Sequence, residues 1–234
     1  MIRRPPRSTL DRSSAASDVY KRQSNNTIYG TQWHEFPKPI NDGYLVADMS
    51  SDILSRSIDI SRFGLIYAGA QKNIGPAGVT MVILRDEILD KVNRKIPTMM
   101  KYRTHIDKGS MFNTPPVISI FAVNRTLVWL KSIGGIDFIE KKNKLKAQKL
   151  YDEIDNNELF SSPVNVENRS MMNIPFVFTQ QGDELSFLSF CKERGLLTLK
   201  GHRSVGGFRA SIYNAMPEEG VETLIQAMKE YEPN

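Results

Sequence analysis

The 234-residue sequence has one cysteine, three histidines and no long uninterrupted run of apolar residues. A single cysteine, Cys191, excludes an intrachain disulfide and a multi-cysteine metal site, and it is typical of a reducing, cytoplasmic compartment. His34, His105 and His202 lie far apart in the chain and lack the spacing of metal ligands. No stretch approaches the about 18 apolar residues that a membrane span needs. The sequence therefore predicts neither a metal centre nor an integral membrane protein.

The positive charge of the chain is concentrated at its amino end. The formal net charge is +5 at pH 7, and residues 1–23 hold six basic residues against two acidic ones. Four of the five net charges therefore lie in this segment, and the rest of the chain is nearly neutral. Because a nucleic-acid binder presents a basic face on its folded body, the distribution argues against that class.

Residues 1–23, called the leader below, are rich in Arg, Ser and Pro and have almost no apolar periodicity. Such a segment buries too little surface to offset the entropy of ordering it. It lacks the apolar core of a secretory signal, and two prolines and two aspartates disfavour the amphipathic helix of a transit peptide. We expect the leader to be disordered and non-native, resembling translated adapter or linker sequence.

Extended and helical patterns alternate along the rest of the chain, which predicts an α/β protein passing into a smaller α+β part. Short apolar runs bounded by turn residues indicate strands covered on both faces. The predicted strands are 44–48, 65–68, 79–84, 172–179 and 208–213. The predicted helices are 86–93, 118–130, 136–154, 183–194 and 218–232, the fourth of them stopped by Gly195.

Side-chain burial in two of these helices also follows from periodicity. In helix 136–154, Ile139, Leu145 and Leu150 fall on one apolar stripe and are expected to face the core. Trp129, in helix 118–130, is expected to be a core residue because large aromatic side chains are usually well buried.

The most informative segment places Lys72 just past a predicted strand, among small residues. Gly69, Gly75 and Gly78 allow close backbone approach or a positive φ, and Asp48 ends another predicted strand 24 residues upstream. An acid and a lysine at the ends of two buried strands suit a site at the carboxyl edge of a sheet. Pyridoxal phosphate chemistry uses such a pair, but the spacing alone favours a solvated loop lysine and a turn-capping aspartate, which are commoner than cofactor sites.

Four longer motifs are specific: ADMSSDILSR (47–56), IYAGAQKNIGPAG (66–78), GSMFNTPP (109–116) and KGHRSVGGFRASIYNAM (200–216). In order and spacing they resemble the phosphoserine aminotransferases, a family of fold-type I enzymes that depend on pyridoxal phosphate. The resemblance covers residues 24–234. It implies the C-terminal part of a cofactor-binding large domain at 24–130 and a small C-terminal domain at 131–234.

The resemblance also implies which residues contact the cofactor. Lys72 matches the lysine that forms the Schiff base, and Gln71 beside it matches a cofactor contact. Asp48 matches the partner of the pyridine nitrogen. Thr27 matches a threonine that contacts the cofactor.

A second set of matches concerns the cofactor phosphate and the substrate. Asn113 and Thr114 match residues that reach the neighbouring subunit's cofactor phosphate across a dimer interface; without the resemblance, Thr114 reads as a helix N-cap. His202 and Arg203 match the pair that binds the substrate's phosphate or distal carboxylate, again from the neighbouring subunit. Arg209 matches the arginine that binds the substrate α-carboxylate, a role that suits its rigid fork of donors.

The family's chains are longer at the amino end, so the resemblance implies an amino-terminally truncated chain that lacks part of the large domain. We expect the parent protein to be a homodimeric aminotransferase acting on small anionic amino and keto acids, and this chain alone to be catalytically incompetent. Two alternatives stay open. One is another fold-type I enzyme such as a cysteine desulfurase, against which the helical position of Cys191 counts; the other is a non-catalytic dimerisation fragment.

Overall fold

The computed structural model describes residues 19–39, 43–89, 91 and 94–232. The first sheet has the order β1-β4-β5-β6, from β1 (Val19–Gln23), β4 (Tyr44–Asp48), β5 (Leu65–Gly69) and β6 (Thr80–Leu84). β1, β4 and β5 run parallel, and β6 is antiparallel to β5. A short hairpin of β2 (Asn25–Asn26) and β3 (Thr31–Gln32) follows β1. The mixed α/β class predicted from the sequence is confirmed.

A second, three-stranded antiparallel sheet has the order β7-β8-β9, from β7 (Phe160–Ser161), β8 (Asn173–Phe178) and β9 (Phe208–Ser211). The helices are α1 (Asp86–Leu89), α2 (Tyr102–Asp107), α3 (Val117–Ser132), α4 (Gly135–Asn156), α5 (Glu184–Glu193) and α6 (Glu218–Glu230). α5 ends with Arg194 as C-cap and Gly195 at φ +76°, as the sequence predicts.

Two hydrophobic clusters divide the described residues. One surrounds β4, β5 and the inner side of α3, and its members lie between Phe36 and Val123. The other lies between α4, α5, α6 and the second sheet, where Phe160, Phe176, Phe187 and Phe208 pack as a group of aromatic rings. The separation of the clusters supports the division at residue 130, which stays a prediction.

The prediction that the leader is disordered is wrong for residues 19–23, which form β1, and its other eighteen residues lie outside the described part of the chain. The non-native origin of the leader stays a prediction. β1 pairs with β4 over its whole length, from Val19 opposite Tyr44 to Gln23 opposite Asp48. Backbone pairing needs only an extended chain at an open sheet edge and does not depend on apolar side chains. The polar sequence of residues 19–23 therefore did not indicate a strand. The side chains fit poorly: the Nε and Nη2 atoms of Arg22 are buried without a partner among the described residues.

Three burial expectations are wrong. β6 is largely exposed, with Ile83 38 % accessible, because it lies at the edge of the sheet. Trp129 is 36 % exposed, since α3 is apolar on nearly all sides and turns Val123 and Leu130 inward. Leu145 is 48 % exposed, whereas the inward stripe of α4 carries two polar residues that are described below.

No single helix in the described ranges is both long and apolar enough to cross a membrane; α3 and α4 together meet the length and composition criteria, but they are bent by 85° at their junction.

Candidate active site

Lys72 lies in the loop of residues 70–78 that joins β5 to β6, called the lysine loop below. The loop closes on itself at Ala70, whose carbonyl accepts bonds from the backbone N–H groups of Lys72 at 2.7 Å and Gly75 at 3.0 Å. Ala70 and Ile74 are buried, which anchors both sides of the lysine in the first hydrophobic cluster. α3 packs directly on the loop, since a Cβ at Gly75 would lie 2.7 Å from Val123 Cγ2. The lysine therefore stands on a supported turn.

The Lys72 side chain is half-buried and donates from Nζ to Thr27 Oγ1 at 2.6 Å. Thr27 sits in the turn between β2 and β3, where Asn26 Oδ1 accepts bonds from the N–H groups of Ile28 and Tyr29. The two residues are 45 positions apart in sequence, so the contact depends on the tertiary fold. The structure thus brings together two of the predicted cofactor residues.

Asp48 ends β4, the strand beside β5, and lies opposite Tyr67 in the register. Its Oδ1 accepts hydrogen bonds from the backbone N–H of Ser50 at 3.0 Å and from the Ser50 hydroxyl at 2.6 Å. Ser50 Oγ in turn accepts the N–H of Gly69 at 3.0 Å, which ties the ends of the two strands together. Asp48 Oδ2 receives no hydrogen bond from the described residues, so one carboxylate oxygen stays available to another group.

Arg209, on β9, approaches the same place from the second sheet. Its Nη1 donates to the carbonyl of Thr27 at 3.5 Å, a long bond, and its Nε is buried with no partner among the described residues. Gly207, at φ +60°, shapes the chain just before β9, where a Cβ would lie 2.7 Å from the carbonyl oxygen of Phe176. A guanidinium held with unused donors is suited to bind an anion.

The pKa of Lys72 is perturbed by its burial and by the charges of nearby residues. Burial lowers the pKa of Lys72, the Asp48 carboxylate acts against this by raising it, and the Arg209 guanidinium lowers it further. Removal from water disfavours the ammonium form, so the free amine forms at a lower pH than in an exposed lysine. The charge of Asp48 therefore acts on Lys72, and the pairing of these two residues in one cofactor site stays a prediction.

Gln71 is exposed, and its Oε1 would lie 2.7 Å from a Cβ placed on Gly69. The glycine thus leaves room for the amide to fold back over the end of β5, next to the lysine. Gln71 thus lies exposed beside Lys72, and its role as a cofactor contact stays a prediction.

Four predicted residues form no hydrogen bond with Lys72, Thr27 or Asp48 among the described residues. Asn113 and Thr114 are exposed ahead of α3, and Asn113 Nδ2 bonds the carbonyl of Thr114 at 3.2 Å. Pro116 is the N-cap of α3, so the reading of Thr114 as its cap is wrong. His202 Nδ1 interacts with Ser204 Oγ at 2.7 Å, and Arg203 is exposed beside it.

Sequence reasoning missed a buried carboxylate beneath the site. Asp52 is 5 % exposed; Ser24 Oγ donates to its Oδ1, Gln32 Nε2 donates to its Oδ2 at 3.1 Å, and Arg56 lies 3.9 Å away. Burial raises the pKa of Asp52, against the effect of these bonds. Asp52 stands four residues after Asp48 within a motif quoted above, but nothing in that spacing distinguishes a buried acid from an exposed one.

A lysine in the loop after a strand of a mixed α/β sheet, near an aspartate at the end of the neighbouring strand, is the arrangement that the sequence predicted for an aminotransferase. The sequence matches the family described as Aminotransferase class-V over residues 14–224, beginning inside the predicted leader. The chain belongs to this family.

Its relatives agree with that assignment. Phosphoserine aminotransferase of Azobacteroides pseudotrichonymphae is 52 % identical over 221 residues, covering 92 % of this chain and 60 % of the relative. The protein of the same name from Parabacteroides distasonis is 54 % identical over 218 residues, covering 92 % and 61 %. The pyridoxal-phosphate-bound crystal structure of phosphoserine aminotransferase from Trichomonas vaginalis superposes with a TM-score of 0.86 at 42 % identity, covering 91 % and 60 %. The chain thus spans about three fifths of the length of these relatives.

Proposed function

We propose that this chain contributes the lysine, aspartate and arginine of a pyridoxal-phosphate-dependent aminotransferase site. The reaction is the reversible exchange of phosphoserine and 2-oxoglutarate for 3-phosphohydroxypyruvate and glutamate, the first step being transfer of the amino group from phosphoserine. One observation carries the proposal: Lys72 Nζ is half-buried on Thr27, in a site whose other charges are Asp48 and Arg209. The names of the relatives supply phosphoserine and the transfer of an amino group; the other three compounds are those that the family resemblance of the sequence implies.

The residues present fit the cofactor. Among the described residues, Asp48 Oδ2 receives no hydrogen bond and Arg209 Nε is buried without a partner, and the charges of both residues act on the pKa of Lys72. Orphaned buried donors are uncommon in folded proteins and call for a ligand or an ion. Thr27, Gln71, Lys72 and Asp48 would hold the cofactor; when bound, pyridoxal phosphate supplies an aldehyde that combines with amines and a ring that accepts an electron pair.

The chain's own groups then have definite tasks. Lys72 Nζ, easier to deprotonate because it is half-buried, takes up the proton that leaves the substrate α-carbon and gives it back later in the cycle. Thr27 Oγ1 fixes the position of that nitrogen. The Asp48 carboxylate favours a positive charge opposite it, and Arg209 binds the substrate α-carboxylate through its fork of donors.

We propose a homodimer as the working form and the cytoplasm as its location. α3 exposes Val117, Ile118 and Phe121 at 68 %, 77 % and 59 %, a run of apolar residues that suits a protein interface. Asn113, Thr114, His202 and Arg203 would then serve the partner's site, which accounts for their distance from Lys72 in this chain.

A cysteine desulfurase is disfavoured by Cys191. This thiol is fully buried in α5 within the second hydrophobic cluster, and burial raises its pKa to about 11. A catalytic thiol needs access and a lowered pKa, and Cys191 has neither.

Covalent trapping tests the proposal. The purified chain is incubated with pyridoxal phosphate, reduced with borohydride and digested, and the modified lysines are identified by mass spectrometry. We expect modification concentrated on Lys72 at low cofactor concentration, lost in Lys72→Ala and kept in Lys192→Ala, which removes an exposed lysine of α5. Uniform labelling of surface lysines, unchanged in Lys72→Ala, would contradict a built cofactor site.

A further inference from the structure

Three buried asparagines form a continuous hydrogen-bonded group next to Lys72: Asn73, Asn143 and Asn214, called the asparagine cluster below. The backbone N–H of Asn214 donates to Asn73 Oδ1 at 3.0 Å, and Asn143 Nδ2 donates to Asn214 Oδ1 at 2.8 Å. Their exposures are 5 %, 0 % and 4 % in chain order. Buried amides cost stability unless they are hydrogen-bonded, so the burial of three linked asparagines requires an explanation.

The cluster also holds the segment that follows Asp48. Asn214 Nδ2 donates to the carbonyl of Leu54 at 2.9 Å, and Asn143 Nδ2 donates to the carbonyl of Ser55 at 3.0 Å. Leu54 has φ +57°, a left-handed conformation that is unfavourable for a leucine. A strained conformation of this kind persists where surrounding contacts hold it. Here the carbonyls of Leu54 and Ser55 both accept hydrogen bonds from the cluster.

α4 is the rigid support of the cluster. One turn after Asn143, the ammonium of Lys146 donates to the carbonyls of Ile212, Tyr213 and Met216 at 3.3, 3.0 and 2.9 Å. Lys146 is 1 % exposed, so these carbonyls rather than water accept its hydrogen bonds. Asn143 and Lys146 thus hold both sides of the segment 212–216 that contains Asn214.

Each of the three charged site residues stands on a segment that reaches this cluster. Asn73 adjoins Lys72, the segment 51–55 follows Asp48, and Asn214 follows the strand of Arg209. We propose that the asparagine cluster is a positioning device, in which Asn73, Asn143 and Asn214 hold the lysine loop so that Lys72 Nζ stays in its half-buried place on Thr27. The inference rests on the proposed function only in the reason why Lys72 has to be positioned. The hydrogen bonds of the cluster themselves involve no cofactor.

The side chains are not arranged for stability alone. Asn143 Oδ1 is buried and accepts no hydrogen bond from the described residues, so an apolar residue there would avoid that cost. Local costs of this kind concentrate at functional sites. A positioning role therefore explains why an amide, Asn143, rather than an aliphatic side chain lies on the inward stripe of α4.

The test measures the pH dependence of Lys72 reactivity in the cofactor-free chain. Lysines are labelled briefly with acetic anhydride across a pH series and quantified individually by mass spectrometry, which gives a titration midpoint for each amine. We expect the Lys72 midpoint to lie below those of exposed lysines. In Asn73→Ala and Asn143→Ala it should rise by about half a pH unit, which lowers the reactivity at pH 8 roughly threefold, because a loosened loop admits water to the amine.

Asn157→Ala is the matched control. Asn157 is half-buried at the C-terminus of α4, where it accepts the N–H of Leu159 at 2.9 Å and donates to Glu153 at 2.8 Å. The Asn157→Ala variant should have a lower melting temperature than the wild type but the same titration midpoint of Lys72. If all variants lose stability while the Lys72 midpoint stays fixed, the cluster is only structural and the inference is wrong.

Two further comparisons keep the test decisive. Should Asn73→Ala fail to fold, seen as uniform reactivity of all lysines, Asn73→Ser keeps an oxygen at that position and is judged by the same midpoint. The proposed function can fail separately: wild-type chain without selective cofactor labelling, but with a Lys72 midpoint that responds to Asn73→Ala, would retain the positioning device and reject the cofactor.

Discussion

The pH dependence of stability should show how much free energy the burial of the Lys146 ammonium costs the folded protein. Burial lowers the pKa of Lys146 to about 8 from its ordinary 10.5, in spite of three carbonyl oxygens around the ammonium. The difference corresponds to about 3 kcal/mol of preference for the neutral amine in the folded state. Because the side chain is almost fully inaccessible, solvent screening does not reduce this figure.

The sign of the pH effect follows from proton binding. Between pH 8 and 10.5 the unfolded chain holds a proton on this amine and the folded chain does not. Stability rises with pH wherever the unfolded state binds more protons. The free energy of unfolding of the wild type should therefore increase by about 3 kcal/mol relative to Lys146→Met as pH goes from 7 to 10.5.

Urea unfolding of both proteins at several pH values measures this difference, and titration of all other groups cancels in it. Lys149→Met is the control, since the Lys149 side chain is 35 % exposed and bonded to Glu218 and Glu222, which raise its pKa to about 12. A difference between wild type and Lys146→Met that is independent of pH would refute the reasoning. It would mean that the three carbonyls fully replace water around the ammonium.

Two further outcomes are expected. Gly75→Ala should destabilise the protein by about 1–3 kcal/mol through overpacking against Val123, and in urea unfolding the double variant Gly75→Ala/Val123→Ala should cost less than the sum of the single changes. Additive costs would show that the two residues do not press on each other. Cys191 should resist iodoacetamide at pH 8 in the folded protein and react once urea unfolds it, because its thiol is buried; rapid modification of the native chain would contradict that burial.

Periodicity predicted most elements because their apolar residues repeat on one face. β4 and β5 were predicted to within one residue of their observed ends, and α6 ends two residues earlier than predicted. α2 was missed, since its six residues bury none of their side chains and so leave no periodic signal. β1 was missed because edge pairing is a property of the backbone.

The direction in which a helix faces was harder to predict than the presence of the helix. α3 is apolar on several sides, so its sequence does not say that Val123 faces the lysine loop while Trp129 faces outward. On α4 the inward stripe passes through Asn143 and Lys146, two residue types that a hydrophobicity pattern assigns to solvent. Their burial is explained by distant partners, which lie in the segment 212–216 and, for Asn143, also at the carbonyl of Ser55. No local pattern contains these partners.

The candidate site was predicted in part by local pattern and in part by resemblance. Lys72 and Asp48 stood out because each follows an apolar strand, and parallel neighbouring strands bring such ends together. Thr27 and Arg209 have no local signal, since a threonine in a turn and an arginine in a strand are ordinary; their meeting at Lys72 depends on packing of the hairpin against the second sheet.

The position of the site between two hydrophobic clusters explains why polar contacts govern its geometry. Each cluster is built from its own elements, and the junction between them is lined by Asp52, the asparagine cluster and Ser24. Apolar packing tolerates small shifts, whereas hydrogen bonds have narrow ranges of distance and angle. Substitutions at the junction should therefore change the placement of Lys72 more than they change overall stability, and substitutions within either cluster should do the reverse.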